Sequence, residues 1–154
     1  SGWFDVELSE LGIRQSIELK NKIDINKFNF VFCSDLKRAI DSAKLAFENK
    51  EIIQDKRLRE CNYGDFTRKL SSEFKDKLID FVDNKFPNGE SYEQTSKRMK
   101  DFLDFLKENY DGKRVMIIGH RATQYGLDYW IKNIPLEELA TTKFKWQPGW
   151  EYEL

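Results

Sequence analysis

The sequence predicts an α/β fold built on a mostly parallel sheet. Two short apolar runs, residues 28–33 and 114–119, each lead directly into a segment with helical periodicity. The second run contains four consecutive apolar residues from Val115 to Ile118, as expected of a strand buried on both faces of a parallel sheet. With 154 residues, of which 40% are hydrophobic, the chain is long enough to bury roughly 70% of its unfolded surface. We therefore expect one globular domain over residues 1–154.

The first half of the chain alternates helices and strands. Ser9 can serve as the N-cap of a helix that continues to about Lys22, and either Ser34 or Asp35 can cap a second helix. Residues 55–69 lack clean periodicity, so we expect a long loop there, and its length suggests that it carries function. In order, the predicted elements are helix 9–22, strand 28–33, a helix from residue 34 or 35, strand 51–54 and loop 55–69.

The second half begins with a predicted polar helix and contains the most clearly marked helix of the chain. Ser91 and Gln94 have capping-box spacing after a Pro87-Asn88-Gly89 turn. His120 stands immediately after the predicted strand at 114–119. In order, the predicted elements are helix 71–85, a helix from residue 91, strand 114–119, helix 122–131, a short helix after Pro135 and a last strand near 150–154.

Composition and charge exclude several classes of partner. The 26 basic and 27 acidic residues leave a net charge of -1, so we expect no binding to nucleic acid or to an anionic membrane. No apolar run approaches the roughly 20 residues of a membrane span. Two cysteines are too few for a disulfide framework, which favours a cytoplasmic protein. A single histidine without clustered Cys or Asp predicts no metal site, and no cofactor motif is present.

Three residues can carry chemistry, and each also has an ordinary structural explanation. Arg38, in the first turn of a helix that follows a strand, suits a phosphoryl group, but it can equally be a solvated residue paired with Asp35 or Asp41. His120 can face a cleft or be a structural histidine. Glu60 can act as a general acid if burial raises its pKa, or belong to a surface ion network.

Three rival chemistries do not fit the sequence. Four residues separate Cys33 from Arg38 and six separate Cys61 from Arg68, and neither matches the loop of a cysteine-based phosphatase. The sequence also contains no glycine-rich nucleotide loop and no Gly-x-Ser-x-Gly nucleophile elbow.

Five segments, taken in order, resemble the histidine phosphatase superfamily of the phosphoglycerate-mutase-like kind. The resemblance extends over nearly the whole chain, and the ordered combination is more specific than any one motif. The segments are Gly2-Trp3-Phe4-Asp5 leading into Leu8-Ser9-Glu10-Leu11-Gly12; Ser34-Asp35-Leu36-Lys37-Arg38-Ala39; Arg57-Leu58-Arg59-Glu60 with Tyr63-Gly64-Asp65-Phe66; Pro87-Asn88-Gly89-Glu90-Ser91; and Ile118-Gly119-His120.

The resemblance implies a three-layer sandwich in which helices flank the sheet, and a phosphomonoester hydrolase acting through a phosphohistidine. A histidine at the end of the first strand attacks phosphorus, Arg38 and His120 hold the phosphoryl oxygens, and Glu60 protonates the leaving oxygen. The implied partner is a small phosphorylated substrate, with no metal or cofactor. The expected substrate-binding residues are Gly2, Trp3, Tyr63 and Arg121.

The chain departs from the family pattern at two places. The Arg-His-Gly motif expected upstream of Gly2 is not in this sequence, so we expect the natural protein to be longer and residues 1–154 to lack the first strand. Thr67-Arg68 stands where many relatives have Glu-Gly, which predicts a different specificity. Phosphoglycerate mutase activity is less favoured, because the segment between Glu60 and Pro87 is short and offers no paired arginines of the kind that hold a bisphosphate in such a mutase. A non-catalytic phosphate-binding relative is the other alternative.

Overall fold

A computed structural model describes residues 1–69 and 71–154, and its centre is a parallel sheet. The strands are β1 (Phe30–Cys33), β2 (Ile52–Gln54) and β3 (Val115–Ile118), in the order β2-β1-β3. Val31 lies opposite Ile52 on one side and Met116 on the other. The parallel sheet expected from the apolar runs is confirmed, with β1 in the middle.

In the part of the chain that the structure describes, five α-helices surround the sheet: α1 (Glu10–Lys22), α2 (Lys37–Ala46), α3 (Tyr92–Asn109), α4 (Arg121–Lys132) and α5 (Leu136–Thr141). The predicted caps of α1 and α3 are confirmed. The Ser9 hydroxyl accepts the Gly12 amide at 3.1 Å. Ser91 and Gln94 exchange side-chain and backbone hydrogen bonds at 3.1 and 3.2 Å, and together they form a complete capping box.

Alternating side chains of the strands bury against helices on both faces, which gives the expected three layers. Phe30 and Phe32 of β1 pack with Val115 and Ile117 of β3 against α3 and α4. Val31, between them, points to the opposite face and packs beside α1 and α2. The period-2 alternation of a strand therefore supplies two cores from one sheet.

Three expectations about the elements are wrong in detail. Helix α2 begins at Lys37, and neither Ser34 nor Asp35 caps it, because Asp5 accepts the Lys37 amide at 2.8 Å instead. The predicted helix 71–85 is two 3-10 segments, Ser71–Glu73 and Lys75–Phe81. Strand β3 is half-buried rather than fully buried, since among the described residues it pairs only with β1.

The predicted last strand at residues 150–154 is irregular backbone. Tyr152 nevertheless packs against the core beside α3 and α4, and its hydroxyl donates to Asp128 at 2.8 Å. Side-chain anchoring therefore fixes this segment without ladder hydrogen bonds. Among the described helices, none has both the length and the apolar character needed to cross a bilayer.

Candidate active site

A cleft of about 420 Å³ opens where the carboxyl ends of β1 and β3 meet the helix starts. This is the edge at which open α/β sheets bind ligands. Charged and apolar side chains both line the cleft. The lining residues are Ser1, Gly2, Arg38, Glu60, Tyr63, Phe74, Leu78, His120, Arg121 and Phe144.

Arg38 enters the cleft from the first turn of α2. Its Nη2 donates to the Gly2 carbonyl at 2.7 Å and its Nη1 to the Phe4 carbonyl at 3.1 Å, so the backbone fixes the guanidinium. Burial lowers the pKa of Arg38, and the nearby Glu60 opposes that effect. Arg38 does not form the surface ion pair with Asp35 or Asp41 that a solvated residue could make. Asp41 binds Lys37 instead, and Asp35 binds Arg59.

Glu60 is a buried carboxyl, only 9% exposed, and not part of a surface ion network. Its Oε1 accepts the amides of Cys61 at 2.8 Å and Ala122 at 3.2 Å. Burial raises the pKa of Glu60, while those two amides and the charges of Arg38 and Arg98 act in the opposite direction. The net rise favours the protonated form, as a general acid requires.

His120 joins β3 to α4, and its backbone is held by Thr123. The His120 amide donates to the Thr123 hydroxyl at 2.9 Å, and that hydroxyl donates to the Leu58 carbonyl at 2.9 Å. The Nε2 atom is shielded from solvent and has no hydrogen-bond partner among the described residues. Burial, followed by the charges of Arg38 and Arg98, lowers the pKa of His120 to about 3, so the ring is neutral at pH 7.

The opening segment, residues 2–5, ties the arginine helix to the glutamate loop. The Trp3 indole donates to the Glu60 carbonyl at 2.7 Å, and its ring lies 4.8 Å from the Arg59 guanidinium. Gly2 lines the cleft, and Trp3 is not among the described residues that line it. The only polar side-chain atom of Trp3 is used on the loop backbone, and its expected contact with substrate stays a prediction.

The other two expected substrate contacts do line the cleft. Tyr63 is there with its hydroxyl 3.4 Å from the hydroxyl of Tyr92, and burial raises its pKa well above the ordinary value. Arg121 donates to the Thr142 carbonyl at 2.9 Å, and its guanidinium lies 5.2 Å from the Tyr125 ring and 5.9 Å from the Phe144 ring.

Arg98, which donates to the Glu60 carbonyl at 2.8 Å and pairs with Glu90, was not predicted from the sequence. The signal that was available is the Pro-Asn-Gly-Glu-Ser segment, which contains Glu90 and which resembles the family pattern, although no role was predicted for that carboxylate. Arg98 itself lies two helical turns further along α3, in a stretch without any motif. Among the described residues, no group of three or more His, Cys, Asp or Glu side chains is arranged to hold a metal ion.

A parallel α/β sheet with an arginine, a buried carboxyl and a neutral histidine facing one cleft at its strand ends suits the handling of a small anion. The family model of the histidine phosphatase superfamily (branch 1) matches residues 1–148. The chain therefore belongs to that superfamily.

Curated relatives include both phosphatases and mutases. Fructose-2,6-bisphosphatase TIGAR of Xenopus tropicalis is 36% identical over 66% of this chain, and the match spans only 41% of that relative's length. Adenosylcobalamin/alpha-ribazole phosphatase of Salmonella typhimurium is 28% identical over 79% of this chain and 65% of its own. A 2,3-bisphosphoglycerate-dependent phosphoglycerate mutase of Cytophaga hutchinsonii is 29% identical over 91% of this chain and 72% of its own.

Solved structures share the fold at low identity. YhfR of Bacillus stearothermophilus superposes with a TM-score of 0.80 over 96% of this chain and 78% of its own, at 22% identity. Mycobacterial glucosyl-3-phosphoglycerate phosphatase superposes with a TM-score of 0.73 over 93% of this chain and 77% of its own, at 21% identity. At these identities the likeness concerns the architecture, which is the three-layer α/β sandwich described above.

Proposed function

We propose that this chain is the body of a phosphomonoester hydrolase that acts through a phosphohistidine intermediate. One observation carries the proposal: Arg38, Glu60 and His120 line the same cleft. Two further observations support the proposal: backbone carbonyls orient Arg38, and burial raises the pKa of Glu60, as suits a proton donor.

In the first half-reaction a histidine nitrogen attacks phosphorus and the bond to the leaving oxygen breaks. Arg38 binds the negative phosphoryl oxygens, and His120, which lines the same cleft, provides a further contact for them. Glu60 transfers its proton to the leaving oxygen, so the alcohol departs neutral. In the second half-reaction the Glu60 carboxylate takes a proton from water, the water oxygen attacks phosphorus, and the bond between phosphorus and nitrogen breaks.

The nucleophile in this proposal is a second histidine, since His120 is the only histidine of the sequence and has a different role. We assign it to a strand that pairs with the open edge of β3. Among the described residues β3 is bonded only to β1, so its other edge can accept a parallel neighbour. The end of such a strand would lie beside His120, at the mouth of the cleft.

The proposed substrate is a small phosphorylated molecule whose alcohol part contacts Gly2, Tyr63 and Arg121. Phe74, Leu78 and Phe144 add apolar surface to the same cleft. The phosphatase names among the relatives support hydrolysis, whereas the mutase names support transfer of phosphate between positions of phosphoglycerate as the alternative. A non-catalytic relative that keeps only the anion pocket would bind phosphate esters without turnover.

The test is release of inorganic phosphate from an aryl phosphate, without added metal, by the natural-length protein, which in this proposal carries an Arg-His-Gly strand before residues 1–154. His120→Ala is the test variant, and Lys107→Ala, exposed on the last turn of α3, is the matched control. We expect release that falls by about 10²-fold or more only in His120→Ala. Phosphate exchange within phosphoglycerate, without release, would identify the mutase, and binding without either reaction would identify the non-catalytic relative.

A further inference from the structure

Arg98 lies under the loop that carries Glu60 and holds its backbone at three points. From α3, its Nη1 donates to the carbonyls of Arg57 at 2.7 Å and Arg59 at 2.8 Å. Its Nη2 donates to the carbonyl of Glu60 at 2.8 Å. Three of the four carbonyls from residue 57 to residue 60 therefore converge on one guanidinium.

Glu90 completes this arrangement from the other side. Its carboxylate accepts Arg98 Nε at 3.0 Å and Nη2 at 2.9 Å, and it also accepts the Asn62 amide at 2.9 Å. The Glu90 amide in turn donates to the Asn62 carbonyl at 2.9 Å. The ion pair thus holds the loop both before and after the cleft-facing carboxyl of Glu60.

The guanidinium of Arg98 is fully committed to this contact. It has five N–H donors, and all five are accounted for by the two bonds to Glu90 and the three to backbone carbonyls. Its side chain is only 16% exposed and that of Glu90 only 19%, so water does not compete freely for these groups. A lysine has three donors on a point charge and cannot reproduce the planar fork.

We propose that Arg98, oriented by Glu90, is the positioning residue of the proton donor. This inference rests on the proposed role of Glu60 as general acid. The loop from residue 55 to 69 has no α-helix or strand of its own, so the position of its backbone depends on hydrogen bonds from other elements. Because the reaction requires the acid within hydrogen-bond reach of the leaving oxygen, a loop displaced by about 1 Å loses most of that proton transfer.

The charge of Arg98 adds a second effect, because it favours the ionised form of Glu60. Other titratable groups lie near Glu60. They are the cations Arg38 and Arg98, the amino group of Ser1, and the side chains of Cys61, Tyr63, Tyr92 and Tyr125.

The first experiment follows the Glu60 carboxyl by 13C NMR during a pH titration of the 154-residue chain, with Glu60→Gln to assign the signal. Arg98→Met should move the titration to higher pH, because a nearby cation is lost. Lys100→Met removes a cation from the same helix that pairs with Asp104, and it should leave the titration unchanged. An unchanged titration in Arg98→Met, with a native circular dichroism spectrum, would overturn the electrostatic half of the proposal.

The second experiment compares leaving groups with the natural-length enzyme carrying Arg98→Lys, which keeps the charge and loses the fork. An alkyl phosphate needs its leaving oxygen protonated, whereas p-nitrophenyl phosphate does not. We expect kcat to fall about tenfold or more for the alkyl ester and less than about threefold for the aryl ester, with KM little changed. Glu60→Gln should show the same dependence on the leaving group.

Equal losses with both esters would show a general structural defect and overturn the positioning role. Glu90→Gln provides a second variant, since it keeps the shape and weakens the ion pair, and it should give a smaller loss of the same kind. If the unsubstituted enzyme hydrolyses neither ester, the proposed function fails, and the NMR titration still decides whether Arg98 acts on Glu60.

Discussion

At the scale of single residues, the neutral state of His120 links stability to pH. The pKa of a histidine in an unfolded chain is about 6.5, and in the folded protein that of His120 is about 3. Between these values the unfolded chain binds a proton that the folded chain does not. Folding is therefore disfavoured as the pH falls through this window.

We predict that His120→Gln reduces this loss of stability at low pH. The wild-type free energy of unfolding should fall more steeply from pH 6.5 to pH 4 than that of the variant, by at most about 1.4 kcal/mol per pH unit. Urea denaturation at several pH values measures both slopes, and the carboxylates common to both proteins contribute equally. If the free energies of unfolding of the two proteins fell equally with pH, the result would contradict the lowered pKa of the buried His120 ring.

Glu60 gives a dependence of opposite sign. Because its folded pKa is raised by burial, the folded chain keeps a proton that the unfolded chain has lost at pH values above about 4.5. Stability is therefore lost as the pH rises through the window between the two values. The same buried proton is the one that the proposed reaction uses.

We predict that Glu60→Gln has a higher free energy of unfolding than the wild type at pH 8. The difference between the two proteins should be smaller at pH 4. Glutamine is uncharged, and its oxygen can still accept the amides of Cys61 and Ala122. In the natural-length enzyme the same variant should hydrolyse an alkyl phosphate at least about 10²-fold more slowly. Thermal unfolding at the two pH values and a phosphate assay test both halves. A destabilised variant at pH 8 would contradict the raised pKa.

The residues of the cleft were predictable to different degrees. Each of the residues Arg38, Glu60 and His120 lies in a segment that resembles the family pattern, and in the structure all three line one cleft. Position in the sequence alone also allowed an ordinary structural role for each of them, because a sequence does not show which carboxylates the neighbouring cations will bind. Arg98 was not predicted, because three of its five hydrogen bonds go to backbone carbonyls, which every residue has.

At the scale of elements, two glycines let the glutamate loop contact the turn before α3. Gly64 has a φ of +48°, and a Cβ placed there would lie 2.0 Å from the Pro87 carbonyl oxygen. A Cβ at Gly89 would lie 2.2 Å from the Asn62 carbonyl oxygen. The amide of Asp65 donates to that same Pro87 carbonyl at 2.9 Å, so the two segments are hydrogen-bonded where they touch.

We predict that Gly64→Ala is far more destabilising than Gly112→Ala. Gly112 has a φ of +68°, but apart from its two chain neighbours no described residue has an atom within 4 Å of a Cβ added there. Its substitution should cost only the left-handed strain of about 1–2 kcal/mol. Gly64→Ala adds the clash and should cost roughly 2 kcal/mol more. Equal free energies of unfolding for the two variants would show that loop and turn separate easily.

Elements with local signals were predicted well, and those fixed by distant contacts were not. The capping box at Ser91 and the apolar runs of β1 and β3 act through neighbouring residues, and all are confirmed. The segment at 71–85 has an apolar face, with Phe74, Leu78 and Val82 buried, yet it forms 3-10 turns while packing on the aromatic cluster around Phe86. The start of α2 depends on Asp5, which lies 32 residues away in sequence.

At the scale of the whole molecule, the cleft joins parts of the chain that are far apart in sequence. The opening segment, α2, the glutamate loop and the start of α4 all contribute lining residues. An anion bound there contacts several elements at once, and anything that binds the folded state alone raises the free energy of unfolding by mass action.

We predict that inorganic phosphate stabilises the 154-residue chain against heat, by about 1.4 kcal/mol at ten times its Kd. Arg38→Met should abolish this gain. Lys37→Met removes the adjacent cation, which is exposed and paired with Asp41, and it should retain the gain. Chloride at equal ionic strength is the control for screening. Equal stabilisation of both variants would place the phosphate outside the cleft.

The carbonyls of Gly2 and Phe4 that hold Arg38 have a consequence for how tightly a phosphate can bind. A free arginine side chain has many rotamers, and a ligand that selects one of them loses about 1–2 kcal/mol to that ordering. Here folding has already immobilised the guanidinium. The disorder is removed when the chain folds, before any substrate arrives, so an incoming phosphate meets a receptor with little freedom left to lose.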